Sequence, residues 1–170
     1  MLKENVLDLT HFGYVHRNSL QITDWTHAPE VEVGDTTVTY SQPHPLAPLA
    51  PPYGVPTGIG MERPVHRRTW GQYVTPALNF GAVDIRDPEP PAGRRSTFQL
   101  RIVHLTTPVS PVQTRYWWFM AWDITGMSPE YVEAWRLGVP KAFGEDDAIL
   151  AAVTRTVLAD HHGCDYPEVL

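Results

Sequence analysis

The chain has 170 residues, 42% hydrophobic and 19% charged, enough to bury one sizeable core in a single domain. Its formal charge of -6, with thirteen scattered Lys and Arg residues, argues against a nucleic-acid partner. No window approaches the run of about 18 apolar residues that spans a bilayer, and the opening Met1-Leu2-Lys3-Glu4-Asn5 is no signal peptide, so the expectation is a cytoplasmic protein with no membrane partner.

From Leu2 to about Val15 the apolar residues Leu2, Val6, Leu9 and Phe12 fall at helical spacing. Val31 to Tyr40 alternates around Gly34-Asp35, which predicts a hairpin. Ser41 to Gly60 carries six prolines, whose missing N–H groups argue against a helix interior or a central strand, so this stretch is expected to be a lid or rim loop. Strands are expected at His66 to Val74, Ala77 to Ile85, Thr97 to Thr106 and Thr114 to Ile124, joined by short turns such as Asp87 to Gly93, which favours antiparallel pairing. In the last strand Tyr116, Trp118, Met120 and Trp122 share one face and Trp117 and Phe119 the other, so both faces are expected to be covered. Ser128-Pro129-Glu130 opens a helix that runs to about Ala159, with a break expected at Gly138-Val139-Pro140. The order of helix, strands and long helix predicts an α+β domain, a curved antiparallel sheet closed by the C-terminal helix.

Cys164 is the only cysteine, so a metal in this chain must be held by nitrogen and oxygen. The first helical segment places His11 and His16 among Glu4 and Asp8. Residues five apart sit roughly 140° apart on an ideal helix, so the two imidazoles converge only if the helix deforms, and a π-bulge or kink at Gly13 would do this. A third ligand is available from the acids of Phe143-Gly144-Glu145-Asp146-Asp147. Two histidines and one carboxylate form the facial triad of mononuclear non-haem iron, with positions left open for oxygen and substrate. Spacing alone leaves satisfied core or surface histidines as the competing reading. His27, His44 and His66 have no supporting pattern and are read as structural or exposed. His161, His162 and Cys164 are read as a polar tail.

The wider wording is more specific. Glu4-Asn5-Val6-Leu7-Asp8-Leu9-Thr10-His11, with His16 five residues on, resembles the iron-binding signature of Rieske oxygenases of the vanillate O-demethylase and dicamba monooxygenase type. Ala77-Leu78-Asn79-Phe80, His104-Leu105-Thr106-Thr107-Pro108 and Gly144-Glu145-Asp146 resemble later segments of the same family, in the same order. The resemblance implies a helix-grip (START-like) fold, Fe(II) held by His11, His16 and Asp146, and Asp8 as the bridge for electrons. It takes Asn5 with Asp8 as catalytic, and Asn79, His104 and Trp135 as substrate-binding. The implied activity is O2-dependent hydroxylation, or O- or N-demethylation, of a small aromatic compound. Family members also carry an N-terminal Rieske domain with a [2Fe–2S] cluster, which one cysteine cannot hold. The expectation is therefore a single catalytic domain over residues 1–170 without the Rieske domain, served by a separate Rieske and reductase chain and possibly assembled as a homotrimer. A metal-free ligand-binding module and an inactive accessory subunit are the alternatives.

Overall fold

The computed structural model describes residues 2–20, 22, 28–110 and 113–159. Three short helical pieces come first: α1 (Leu2–Leu7), a 3₁₀ turn (Leu9–His11) and α2 (Phe12–Val15). Then follow β1 (Glu30–Val33), β2 (Val38–Ala47), α3 (Pro51–Thr57), β3 (Val65–Thr75), β4 (Leu78–Arg86), β5 (Thr97–Ser110), β6 (Gln113–Trp122) and α4 (Pro129–Ala159). The six strands form one sheet in sequence order, every neighbouring pair antiparallel. The architecture is the expected α+β helix-grip: a curved meander with a long C-terminal helix.

Two of the prolines that argued for a loop, Pro43 and Pro45, sit inside β2. Pairing with β1 ends at Ser41, whereas pairing with β3 continues to Ala47. Pro43 and Pro45 therefore lie where β2 is a sheet edge, and being two residues apart they lose their donors on the same side, so the one ladder survives. Pro51 and Pro52 open α3, where a missing N–H costs nothing. The lid or rim loop expected over Ser41 to Gly60 is thus a strand end and a helix.

The expected break in α4 is absent as well. The helix continues through Gly138, Val139 and Pro140 because Val139, Ala142 and Asp146 form a buried stripe at helical spacing along the side that meets the sheet. Ser128 caps the helix, its Oγ accepting from the Tyr131 N–H at 3.2 Å.

One face of the sheet is buried. Tyr40, Val65, Val83, Ile85, Phe98 and Leu100 pack there with Leu9, Leu49 and Tyr53 from the segments that cross it. Gly71 is what lets Tyr40 lie flat on this face: a Cβ at position 71 would stand 2.1 Å from the Tyr40 hydroxyl and 2.6 Å from the Phe80 carbonyl oxygen. Phe143 of α4 meets Tyr116 and Trp118 edge-on, with centroids at 5.5 and 5.3 Å. On the other face Trp117 is 44% and Phe119 58% exposed, so the prediction that both faces of β6 are covered fails within the described residues. Among those residues no helix is long and apolar enough to cross a membrane.

Candidate metal centre

The first segment is not one deformed helix. α1 stops at Leu7, and Asp8 turns extended (φ -83, ψ 97) to cap the 3₁₀ turn, its Oδ1 accepting from the Thr10 N–H at 2.9 Å and the Thr10 hydroxyl at 2.5 Å. His11 then begins α2 as its N-cap and His16 ends it as its C-cap (φ -98, ψ 19). The two histidines bracket a single helical turn instead of sharing a wheel. The change of helix type before His11 and the cap conformation of His16 bring the rings together, in place of a bulge at Gly13.

His11 Nε2 and His16 Nε2 stand 3.1 Å apart, and Asp146 Oδ1 is 3.4 Å from the first and 3.2 Å from the second. All three side chains are nearly enclosed, at 13%, 3% and 11% exposure. The outer ring nitrogens settle the tautomers. His11 Nδ1 donates to the Asp8 carbonyl oxygen, and His16 Nδ1 donates to Glu145 Oε2 at 3.1 Å. In the neutral form of each ring Nε2 carries a lone pair, and both nitrogens face the Asp146 Oδ1. Three such buried atoms in close proximity are stable together only with a positive charge among them, a proton on an imidazole or a bound cation. Their separations suit adjacent corners around one cation at bond lengths of slightly more than about 2 Å.

Asp146 is suited to the task. Burial alone would raise its pKa, but the contacts from His11 and His16 and the hydrogen bond from Asn5 outweigh it and hold the carboxyl well below the usual range. For His16, burial acts downward, and the carboxylates of Asp146 and Glu145 reverse it and raise the pKa. Asp147, the other acid of the cluster, faces solvent. Glu145, which the sequence offered only as one of the candidate acids, instead orients His16 and is itself held by the Ser19 hydroxyl at 2.5 Å. No local pattern betrays a partner 129 positions away.

A cavity of about 100 Å³ adjoins the triad. Its helical wall includes Asn5, Val6, Leu9, His11 and Phe12, and its sheet wall includes Tyr40, Trp70, Gly81, Ile102 and His104. Asn79 is directly opposite His104 in the β4–β5 register, so both side chains leave the sheet on the same face. Asn79 is 1% exposed, and Lys3 of α1 reaches its Oδ1 at 3.4 Å. Burial and then the Lys3 charge push the His104 pKa down to about 4. Asp8 is exposed, at the rim. Trp135 lies apart: it lines a groove of about 530 Å³ between α3 and α4 and is absent from the walls of the triad cavity. His44 is buried against Thr69 and Arg67, and His66 is exposed. His27, His161, His162 and Cys164 lie outside the described residues.

Comparison with known proteins is consistent with this geometry. A family model described as the vanillate O-demethylase oxygenase C-terminal domain matches residues 1–170. The chain is similar to the vanillate O-demethylase oxygenase subunit of Pseudomonas sp. (strain HR199 / DSM 7063), with 28% identity over 178 residues, 99% of this chain and 48% of that protein. Its fold matches the crystal structure of dicamba monooxygenase bound to 3,6-dichlorosalicylic acid with a TM-score of 0.75 and 21% identity, covering 91% of this chain and 45% of that one. The chain thus spans about half the length of both proteins.

Proposed function

The chain belongs to the vanillate O-demethylase oxygenase C-terminal domain family, and on that premise we propose that it is the iron-bearing catalytic domain of a Rieske-type oxygenase acting on a small aromatic compound. The observation that carries this reading is the convergence of His11 Nε2, His16 Nε2 and Asp146 Oδ1, three enclosed atoms of ligand type. Two nitrogens and one carboxylate oxygen on one side of a cation match the donor set of mononuclear non-haem Fe(II). Iron there would supply activation of O2 for hydroxylation of a C–H bond, and a methoxy or N-methyl carbon so hydroxylated releases formaldehyde.

The protein's part is binding, orientation and exclusion of water. Asp8 through its carbonyl and Glu145 through its carboxylate keep both imidazoles in the tautomer that presents Nε2. Leu9, Phe12 and Val6 close the cavity on the helical side, and Ile102 and Tyr40 on the sheet side, leaving an apolar slot for a ring. His104 supplies its polar end, and Asn79 stands opposite it in the neighbouring strand, behind the cavity wall. Electrons must reach the site from outside these residues, because one cysteine cannot supply the two thiolates of a Rieske cluster. Asp8 is the entry point in this reading: its carboxylate is exposed while its carbonyl touches His11. A head-to-tail trimer would let a neighbour's cluster meet it. The rival reading, a metal-free pocket for an apolar ligand, gives the convergence of these three side chains no role.

The test is iron per chain, measured by elemental analysis on protein purified without air, followed by formaldehyde release from methoxy-aromatic compounds in the presence of a Rieske-bearing protein and its reductase. About one iron per chain and partner-dependent release are expected. An iron-free chain that cannot be loaded with Fe(II) overturns the reading.

A further inference from the structure

Tyr40 is 6% exposed and lines the triad cavity. Its ring reaches from β2 across to β3, where the hydroxyl ends above the bare backbone of Gly71. Among the described residues that hydroxyl makes no hydrogen bond and meets no charge, and burial alone pushes its pKa up to about 12. It is therefore a donor at every physiological pH. A buried hydroxyl is costly unless something accepts its proton. Gly71 pairs with Gly81 of β4, and Gly81 with Ile102 of β5, so beside the hydroxyl the floor of the sheet carries no side chain until Ile102. A Cβ at Gly81 would stand 3.6 Å from Ile102 and 3.7 Å from His104 Nε2, both ordinary contacts. The fold has space for a side chain at position 81, and a glycine there leaves that space to the cavity.

We propose that Tyr40 is a specificity-determining residue, whose phenolic O–H donates to an acceptor oxygen on an aromatic ring lying flat over Gly81. This rests on reading the triad cavity as the substrate site. The acceptor is an ether or a carboxylate oxygen of the ligand. Tyr40 comes from β2 and His104 from β5, with Gly81 on β4 between them, so the phenol marks the side of the bare floor away from His104. A ring with only carbon on that side leaves the hydroxyl buried and unpaired, and a site built around such a donor rejects it.

The tests use the metal-free full chain and Tyr40→Phe, which removes the hydroxyl and keeps the ring. Without ligand, the urea midpoint of the variant should equal or exceed that of wild type, because an unpartnered hydroxyl adds nothing to the fold. A lower midpoint means that the protein itself accepts the proton, and overturns the proposal. Calorimetric titration then compares 4-methoxybenzoate with 4-ethylbenzoate, whose ether oxygen is replaced by CH2, and with 4-methoxytoluene, whose carboxylate is replaced by methyl. If Tyr40 holds the ether, Tyr40→Phe loses about tenfold in affinity for the two methoxy compounds and none for 4-ethylbenzoate. If it holds the carboxylate, the same loss falls on the two benzoates and spares 4-methoxytoluene. No loss, an equal loss for all three, or no binding to wild type overturns the proposal. Gly81→Ala should keep the urea midpoint and weaken all three ligands; unchanged binding there takes the ring off the floor and also overturns it. Neither arm requires iron or turnover, so both can fail while the iron content still supports the oxygenase reading, and the converse also holds.

Discussion

Glu145 and His16 are 129 positions apart in the chain, yet Glu145 Oε2 takes the proton of His16 Nδ1 at 3.1 Å and so fixes which nitrogen His16 offers to the site. The carboxylate next to a candidate ligand is thus itself a support for another. Glu145→Ala is expected to leave the donor set intact but to lower Fe(II) affinity by about 10–100-fold, the usual cost of losing such a support. Competition with a calibrated chelator measures it, and Ser19→Ala should move affinity in the same direction by less.

Removing a donor is more severe. His11→Ala and His16→Ala should each bring iron content close to zero while far-UV circular dichroism stays near wild type, since neither side chain belongs to the main apolar cluster. Full iron occupancy in both variants would remove these residues from the site.

With Asp8 as the proposed entry point for electrons, its replacement separates binding from electron supply. In Asp8→Asn the side chain still caps the 3₁₀ turn and the backbone carbonyl still holds His11. Iron content should therefore persist while partner-dependent turnover falls by at least about tenfold. Stopped-flow reduction with a Rieske partner distinguishes this from loss of metal.

Two glycines predict opposite outcomes. Gly71→Ala forces a Cβ into the Tyr40 ring and the Phe80 carbonyl, and should cost about 1–3 kcal/mol in urea unfolding. Gly13→Ala meets nothing within 4 Å and should be neutral or stabilising by up to about 1 kcal/mol.

His104 makes stability depend on pH. Its pKa is lowered from 6.5 to about 4 on folding, so between those values the unfolded chain binds more protons and stability rises with pH. The contribution is fully present above about 6.5 and is lost as pH falls towards 4, amounting to at most about 3 kcal/mol. In urea titrations the stability of wild type relative to His104→Phe should therefore shrink between pH 7.5 and 4.5; a constant difference would contradict the burial of a neutral ring.

The strands from His66 onward were legible because alternating side chains and short turns leave an antiparallel meander few alternatives. The hairpin over Val31 to Tyr40 was legible too, but β2 beyond Tyr40 was not, since the prolines at 43 and 45 argue against a strand only if both of its sides are paired, and β1 is too short to reach them. Likewise Gly138 and Pro140 signal a helix end locally, while the burial of Val139, Ala142 and Asp146 carries α4 onward, a tertiary effect outside any sequence window. At the site, the wording around His11 and His16 named candidates that their spacing could not. Glu145 was offered only as one acid of a cluster, because its role rests on His16, which it faces from a distant helix.

The triad draws His11 and His16 from one end of the chain and Asp146 from the other, with the whole sheet strung between them. A cation seated there would act as a clasp, a removable crosslink fastening the opening helices to the closing one. Every ladder of the sheet joins consecutive strands and needs no such help. Unfastened, the chain would loosen first where the helical wall meets α4 and last in the sheet.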